Sequence, residues 1–461
     1  VVWEDERRLA GGAHRLLWAP DADTPVGSYA LRLTVEDEGG RRRVYGSRRP
    51  ATVARGTAPV VRVLGVEAAF ERRSYLPAEP MRLTVLADTE SLRLTFLRVG
   101  HEPESTLRND ELSGLEVGQP VEMSWLGKRS APATVTVQSG EWPSGLYAVR
   151  LETPDGRIGF APFVLRPATL GTVRQAVVLP TNTWQAYNFY DADGDGWGDT
   201  WYAGGSPPVV LDRPYLKNGV PPRFKKHDRA FLRWLALTRR DVDVLADDDL
   251  ERARSGRWLR ERYDLVVFPG HTEYVTEHAY DVVEEFRDRG GNLMFLSANN
   301  FFWKVEKRAR AMRRVAIWRA LGRPEAQLVG VQYLANDDGT RQAPFVVRSA
   351  SRMPWLWDGT GLADGDTFGE FVGGFGTEID AVTRRSPRGT TVAAEIPDLF
   401  GRGFTAQMTY YEAPSGARVF AAGALDFGGA VTLWPMRRIL QNVWNHLAPP
   451  GQVLGTDPGD P

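Results

Sequence analysis

Between residues 263 and 303 the chain reads YDLVVFPGHTEYVTEHAYDVVEEFRDRGGNLMFLSANNFFW, and no other stretch restricts the fold as strongly. Leu265-Val266-Val267-Phe268 is short and wholly apolar, the pattern of a parallel strand buried on both faces. Val275, Ala279, Val282, Val283 and Phe286 then recur at helical spacing. Gly290-Gly291 stops that helix where left-handed backbone is wanted. Leu293-Met294-Phe295-Leu296 is the next buried strand. Polar residues gather after each strand: His271 and Glu273 after the first, Ser297, Asn299 and Asn300 after the second. Open α/β sheets bind ligands at that carboxyl edge.

The same alternation recurs on either side. Ala176-Val177-Val178-Leu179 reads as a buried strand ending in PTNTWQAYNFY, DRAFLRWLAL from Asp228 as an amphipathic helix, and Val242 to Leu245 as a strand. Further strands are expected over 328–334 and 345–349, and a last central strand at Arg418-Val419-Phe420-Ala421. A closing helix over 435–447 places Met436, Ile439, Leu440, Val443 and Leu447 on one face. Strands alternating with helices predict an α/β doubly wound parallel sheet over 169–449.

Ahead of it, residues 58–168 carry short alternating runs such as Met81-Leu83-Val85 and Leu92-Leu94-Phe96, which predict a β-sandwich. Residues 1–57 are also β-like, with Gly39-Gly40 marking a hairpin. The segment GGAHRLLWAPDADTPVGSYALRLTVED resembles the immunoglobulin-like repeat of secreted bacterial proteins, in partial form, and SGLYAVRLETPDG echoes it. The tail over 450–461, PGQVLGTDPGDP, is expected to be disordered.

A net charge of −1 without a basic stripe gives no electrostatic case for nucleic acid or an anionic membrane. No apolar run reaches the roughly 18 residues that a membrane span needs. Cysteine is absent, which excludes disulfides, thiolate metal sites and a cysteine-dependent glutaminase. The chain opens on VVW rather than Met, so an export signal could have preceded it, and an extracytoplasmic location is somewhat favoured.

Two constellations carry potential chemistry. In His271-Thr272-Glu273, an extended backbone turns the imidazole and the carboxylate to one cleft; the competing reading is a surface or capping pair. In Thr183-Trp184-Gln185-Ala186-Tyr187-Asn188, two aromatics beside amides either line a pocket or are buried with their polar atoms satisfied locally.

The strings LPTNTWQAYN, GHTEYVTEHAYDVVEEFRDRGGNLMFLSANNFFW, GTEID and GARVFAAGALDFGG resemble the carboxyl-terminal domain of the large subunit of N,N-dimethylformamidase, over roughly residues 174–448. The resemblance implies a glutamine-amidotransferase-like α/β fold, a mononuclear iron held by two tyrosines and a glutamate, and hydrolysis of a small amide. Carried over by motif, Glu273 in HTEY is the carboxylate ligand and Tyr187 in QAYN one tyrosine. Tyr202 in DTWY matches the second tyrosine, with Tyr215 in DRPY as a rival. His271, Asn299 and Glu378 become the catalytic polar groups, with Glu378 moving the proton and Glu412 its weaker competitor. Phenolates with one carboxylate make a hard anionic donor set that suits Fe(III).

The chain departs from that pattern in the insertion Asp191-Ala192-Asp193-Gly194-Asp195-Gly196-Trp197-Gly198-Asp199. Asp191, Asp193, Asp195 and Asp199 take positions 1, 3, 5 and 9 of a Ca2+-binding loop, with Gly at 6, but Tyr202 replaces the bidentate Glu at 12. Calcium and a solvated acidic turn are the two readings. His227 and His278 read as helix-surface residues, Trp355 and Trp357 as cleft or packing aromatics, and the glycines of GALDFGG as no nucleotide site. The expected activity is a metal-dependent hydrolase of C–N bonds acting on a small amide-like molecule, in a chain that could form homo-oligomers. The alternative is a non-catalytic, calcium-stabilised extracellular or carbohydrate-binding module on the same fold.

Overall fold

The computed structural model describes residues 3–18, 24, 27–46, 60–63, 65–129, 131–194, 198–202 and 207–448. The protein is β-rich and multidomain. The expected tail, Asp195 and residues 47–59 lie outside the described residues.

Nine strands form the principal sheet: β1 (Gln175–Leu179), β2 (Asp243–Ala246), β3 (Leu265–Phe268), β4 (Asn292–Phe295), β5 (Phe345–Val347), β6 (Thr367–Phe368), β7 (Thr391–Ile396), β8 (Ala406–Glu412) and β9 (Arg418–Ala421). Their order is β2-β1-β3-β4-β9-β8-β7-β5-β6. The half from β2 to β9 is parallel and the remainder antiparallel. A wholly parallel sheet is therefore corrected to a mixed one. The reason is local connectivity: β8 returns to β9 through the tight Ala413–Ala417 turn, which permits only antiparallel pairing. The 328–334 stretch also differs. Ala326–Val329 is a helical turn, and Gln332–Asn336 pairs outside the main sheet with Glu378–Ala381.

The apolar runs explain the parallel half. Val177, Leu179, Leu265, Val267, Met294 and Phe420 point into one apolar cluster. Ala176, Val178, Val266, Phe268, Leu293, Phe295, Val419 and Ala421 point into another. Each strand is thus dry on both faces, which is why alternation is missing from its sequence. Helix α1 (Thr181–Ala186) follows β1, and α2 (Arg229–Leu237) with α4 (Met436–Leu447) packs on the first cluster. Helix α3 (Glu277–Asp288) covers the second; the Thr276 hydroxyl caps it by accepting from Ala279 N at 3.2 Å, and Gly290 at φ +83° ends it. On α4, Met436, Ile439, Leu440, Val443 and Leu447 are all buried, each contributing about 1.5–3 kcal/mol relative to exposure.

Residues 66–165 form a two-sheet sandwich of three and five strands around Phe70, Leu83, Phe96, Trp125, Tyr147 and Phe163. Its other face shares the first cluster with the α/β part through Leu97, Val99, Leu146, Ala148 and Phe160. Gly219 sits so close to this joint that a Cβ there would lie 1.7 Å from Phe160 O. Ahead of the sandwich, Arg32–Glu36 and Arg42–Gly46 make the expected hairpin, and Gly27–Ala30 pairs with Val60–Val63. Of the residues between 3 and 46 whose side chains are described, none is buried. Among the described residues no helix is long and apolar enough to cross a membrane.

Candidate active site

The carboxyl ends of β1, β3 and β4 lie side by side, and the loops leaving them meet a short strand, Glu378–Ala381, which reaches the end of β9 through the Ile379–Ala424 bridge. Each contributes one part of a buried polar centre. The first loop begins with α1, every residue of which is buried. Asn182 N donates to Asp247 Oδ2 at 2.7 Å, Asn182 Nδ2 to Tyr274 O at 3.1 Å, and the Thr183 hydroxyl accepts from Glu273 N at 3.1 Å. These bonds fix α1 against the Glu273 loop. Trp184 donates to Asp228 Oδ2 at 3.2 Å, and Asn188 Nδ2 to Pro214 O at 2.7 Å. The polar atoms of Trp184 and Asn188 are thus bonded by residues distant in sequence, and Tyr187 is the member of the cluster whose side chain bonds the Glu273 carboxyl.

The described parts of the 187–202 loop gather on Arg213. This buried guanidinium donates to Gln185 Oε1 and to the carbonyls of Gln185, Asn188, Tyr190 and Asp199, at 2.6–3.2 Å. Trp201 N donates to Ala186 O at 2.9 Å, closing the loop onto α1. As a result the Tyr202 ring stacks on Tyr187 with centroids 3.9 Å apart.

The Tyr187 hydroxyl donates to Glu273 Oε2. His271 Nε2 stands 3.5 Å from Glu273 Oε2 and 3.4 Å from Glu378 Oε2, so one imidazole nitrogen faces two carboxylates at ion-pair distance. Asn299 Nδ2 donates to Glu378 Oε2 at 2.8 Å. The amide nitrogen is assigned to that side because a carboxamide oxygen would be repelled by the carboxylate. Tyr274, which sequence reasoning passed over, places its hydroxyl 3.4 Å from that of Tyr187.

Backbone strain accompanies the centre. Asn299, Phe301 and Thr377 all have left-handed φ, between +55° and +64°. For a β-branched residue such as Thr377 this conformation is rare and is held only by surrounding contacts. Its hydroxyl donates to Asp426 Oδ2 at 3.0 Å, which also accepts from Lys226 and Gln342. Gly270 is required before His271, since a Cβ there would lie 2.0 Å from Asp228 Oδ1.

Burial opposes charge on His271, but Glu378 and Glu273 outweigh it and raise the imidazole to about 9. Burial likewise opposes the Glu378 carboxylate, yet His271 and the Asn299 amide hold it below its ordinary value. Glu273 moves the other way: burial raises it, with His271 opposing and Glu378 adding. Burial, reinforced by Glu273, lifts Tyr187 and Tyr274 well above an ordinary phenol. Tyr202 is pushed up to about 12 by burial, partly offset by Arg223; the residue as a whole is 37% exposed, so solvent screens part of that shift. The centre therefore holds an ion pair, His271–Glu378, beside two neutral phenols and a Glu273 carboxyl whose proton affinity burial raises.

Other candidates fall outside it. Tyr215 is buried beside Gln185, Arg213, Arg73 and Asp228 rather than Glu273. The carboxylates of Asp191, Asp193 and Asp199 lie within 4.8 Å of one another. Glu412 is exposed at the far end of β8, bonded by the Tyr410 hydroxyl at 2.6 Å. Trp355 stacks on His446, and Trp357 is buried in the core. His278 is exposed, as expected, but His227 is not a surface residue. It is buried 3.2 Å from Asp426 and edge-on to His271, because Gly428 and Gly429 let the Asp426 loop pack directly on its backbone. The same close approach accounts for the last two glycines of GALDFGG, whereas a Cβ on the first, Gly423, would lie 2.0 Å from Gln407 O.

A family model described as N,N-dimethylformamidase beta subunit-like, C-terminal, matches residues 120–438. The N,N-dimethylformamidase beta subunits of Paracoccus aminophilus and of an Alcaligenes species are each 27% identical over 175 residues, or 38% of this chain. That match spans only 22% of each relative's length. Among solved structures, a superoxide reductase (neelaredoxin) from Ignicoccus hospitalis is similar at 13% identity and TM-score 0.14, over 22% of this chain and 80% of that one. A cycloisomaltooligosaccharide glucanotransferase from a Paenibacillus species reaches TM-score 0.16 at 8% identity, over 54% of this chain and 33% of that one. Values so low establish no shared fold. The family match covers more than two thirds of the chain and includes every residue of the polar centre, so the chain belongs to the N,N-dimethylformamidase beta subunit-like, C-terminal family.

Proposed function

We propose that the protein hydrolyses a C–N bond of a small amide in a metal-assisted reaction. One observation carries this reading: Tyr187, Glu273, His271, Glu378 and Asn299, drawn from four separate segments, share a single buried polar centre. The donor set fits ferric iron. Two phenols and a carboxylate are hard oxygen ligands, and their high proton affinity is what a strongly Lewis-acidic ion overcomes. Tyr187, Tyr202 and Glu273 would hold the ion, and Tyr215 faces elsewhere. When bound, iron would supply Lewis acidity to the carbonyl and the water.

The chain's own residues do the rest. Glu378, ionised and 15% exposed, is the group best placed to take the proton of the attacking water and return it to the leaving amine. His271, held protonated by the two carboxylates, offers its charge to the developing oxyanion. Asn299 fixes the Glu378 oxygen that does not need to move. The resemblance supports a glutamine-amidotransferase-like α/β fold and, ahead of it, immunoglobulin-like modules. The relatives' designation as beta subunits supports an assembly with further chains.

Elemental analysis and visible absorption of the purified protein test the reading, followed by turnover of a panel of formamides and acetamides. Iron with a tyrosinate charge-transfer band, lost in Glu273→Ala without loss of fold, is the expected result. Full metal content in Glu273→Ala removes it from the ligand set. A second reading, a calcium-stabilised binding module, draws on the convergence of Asp191, Asp193 and Asp199. Calcium without transition metal or turnover would favour it.

A further inference from the structure

Glu378 carries the proton in the reading above, and the inference here rests on that role. What keeps its carboxylate in place is a turn that has no reason of its own to be where it is. Asn299 follows β4 in left-handed backbone at φ +55°. Asparagine enters that region more readily than most side chains, so what singles this turn out is the set of bonds that hold it. Its peptide N–H donates to Asp380 Oδ1 at 2.8 Å, while its side-chain amide donates to Glu378 Oε2, also at 2.8 Å.

Glu378 and Asp380 are two apart on one strand and therefore face the same side. One strand thus presents two carboxyl groups to one residue: the first binds the side chain of Asn299, the second its backbone. Asp380 is itself anchored, with its N–H donating to Gly423 O at 3.0 Å, and it is 1% exposed. The other end of the turn is tied to the Glu273 loop. Phe301 N donates to Thr272 O at 2.8 Å, and Trp303 N to Glu273 O at 2.9 Å. Two independent clamps hold the turn, and only the Asp380 clamp reaches the Asn299–Glu378 contact.

We propose that Asp380 is a positioning residue, whose carboxyl holds the Asn299 peptide in its left-handed conformation and so aligns the carboxamide on Glu378. It touches none of the reacting atoms. Asparagine at 380 keeps an acceptor oxygen at the same reach, whereas alanine leaves the buried Asn299 N–H without one. The Glu273 side of the turn keeps its own bonds in either variant.

The test uses the full chain and three readouts: hydrogen exchange of the peptide spanning 297–303, iron content, and kcat and KM on whichever small amide of the panel is turned over. Asp380→Ala is expected to accelerate exchange in that peptide and lower kcat about 10–100-fold through misplacement of the acid, with KM and iron content near wild type. Asp380→Asn is expected to restore both exchange and kcat. Should the alanine variant not fold, Asp380→Ser, too short to reach the N–H, takes its place. Unchanged exchange in Asp380→Ala, or an Asp380→Asn that behaves like alanine, overturns the proposal. Absence of amide turnover in the wild-type protein would count against the hydrolase reading instead, and the exchange comparison still decides whether Asp380 holds the turn.

Discussion

Replacing Arg213 with Met separates the stability of the fold from the order of the loop that carries Tyr187 and Tyr202. Burial lowers this guanidinium from 12.5 to about 10, which corresponds to about 3 kcal/mol against its charged form. Methionine fills a similar length of buried space and removes that penalty. It also removes five donated bonds. Two of the abandoned carbonyls keep other partners: Gln185 O accepts from Asn188 N, and Tyr190 O from Asp199 N. The carbonyls of Asn188 and Asp199 lose the guanidinium bond, and each buried acceptor left alone costs about 1–3 kcal/mol. The two effects largely offset, so Arg213→Met is expected to change global stability by no more than about 3 kcal/mol. Locally the outcome is different, because among the described residues Arg213 is the side chain that bonds the carbonyls of Gln185, Asn188, Tyr190 and Asp199 together. Urea unfolding followed by tryptophan fluorescence gives the first quantity, and hydrogen exchange of peptides covering 185–202 gives the second. The expected result is a small shift in the unfolding midpoint with a large loss of protection confined to that loop. Loop protection equal to wild type would refute the reasoning, as would a global loss beyond about 5 kcal/mol.

Three further outcomes follow from other parts of the centre. Burial raises Asp228 from 3.8 to about 7, so the folded protein keeps a proton that the unfolded chain releases; stability should fall as pH rises from about 4 to about 7, and Asp228→Asn should flatten that part of the pH–stability curve. Gly429→Ala places a Cβ 1.8 Å from Lys226 O, a backbone overlap that no rotamer relieves, and is expected to destabilise by about 1–3 kcal/mol in thermal unfolding. Glu378→Gln should retain iron while turnover falls about 100-fold or more, measured as kcat on the same amide; wild-type kcat would remove the proton-carrying role from Glu378.

Much of the α/β framework could be read locally. Leu265 to Phe268 and Leu293 to Leu296 lack alternation because both of their faces are dry, a property written into the apolar run itself. The C-terminal helix is equally legible, since its buried face repeats at helical spacing. His271, Glu273 and Asn299 were placed by the same logic, as polar residues just past buried strands. What stayed hidden depends on partners far along the chain. The antiparallel half of the sheet is set by β8 and β9 pairing back on the core, and β-pairing leaves no trace in the periodicity of either strand. His227 lies in a polar helical turn that reads as surface, and is buried only because the Asp426 loop arrives from about 200 residues away. Arg213, Asp380 and Asp426 look like ordinary charged residues until the fold gives them buried acceptors or donors. The dry apolar runs of β1, β3, β4 and β9, the helical spacing of α2 to α4 and the polar residues at their ends are local properties of the chain. Which of those ends face one another was decided by tertiary packing, because it depends on contacts between segments with no local signature of each other.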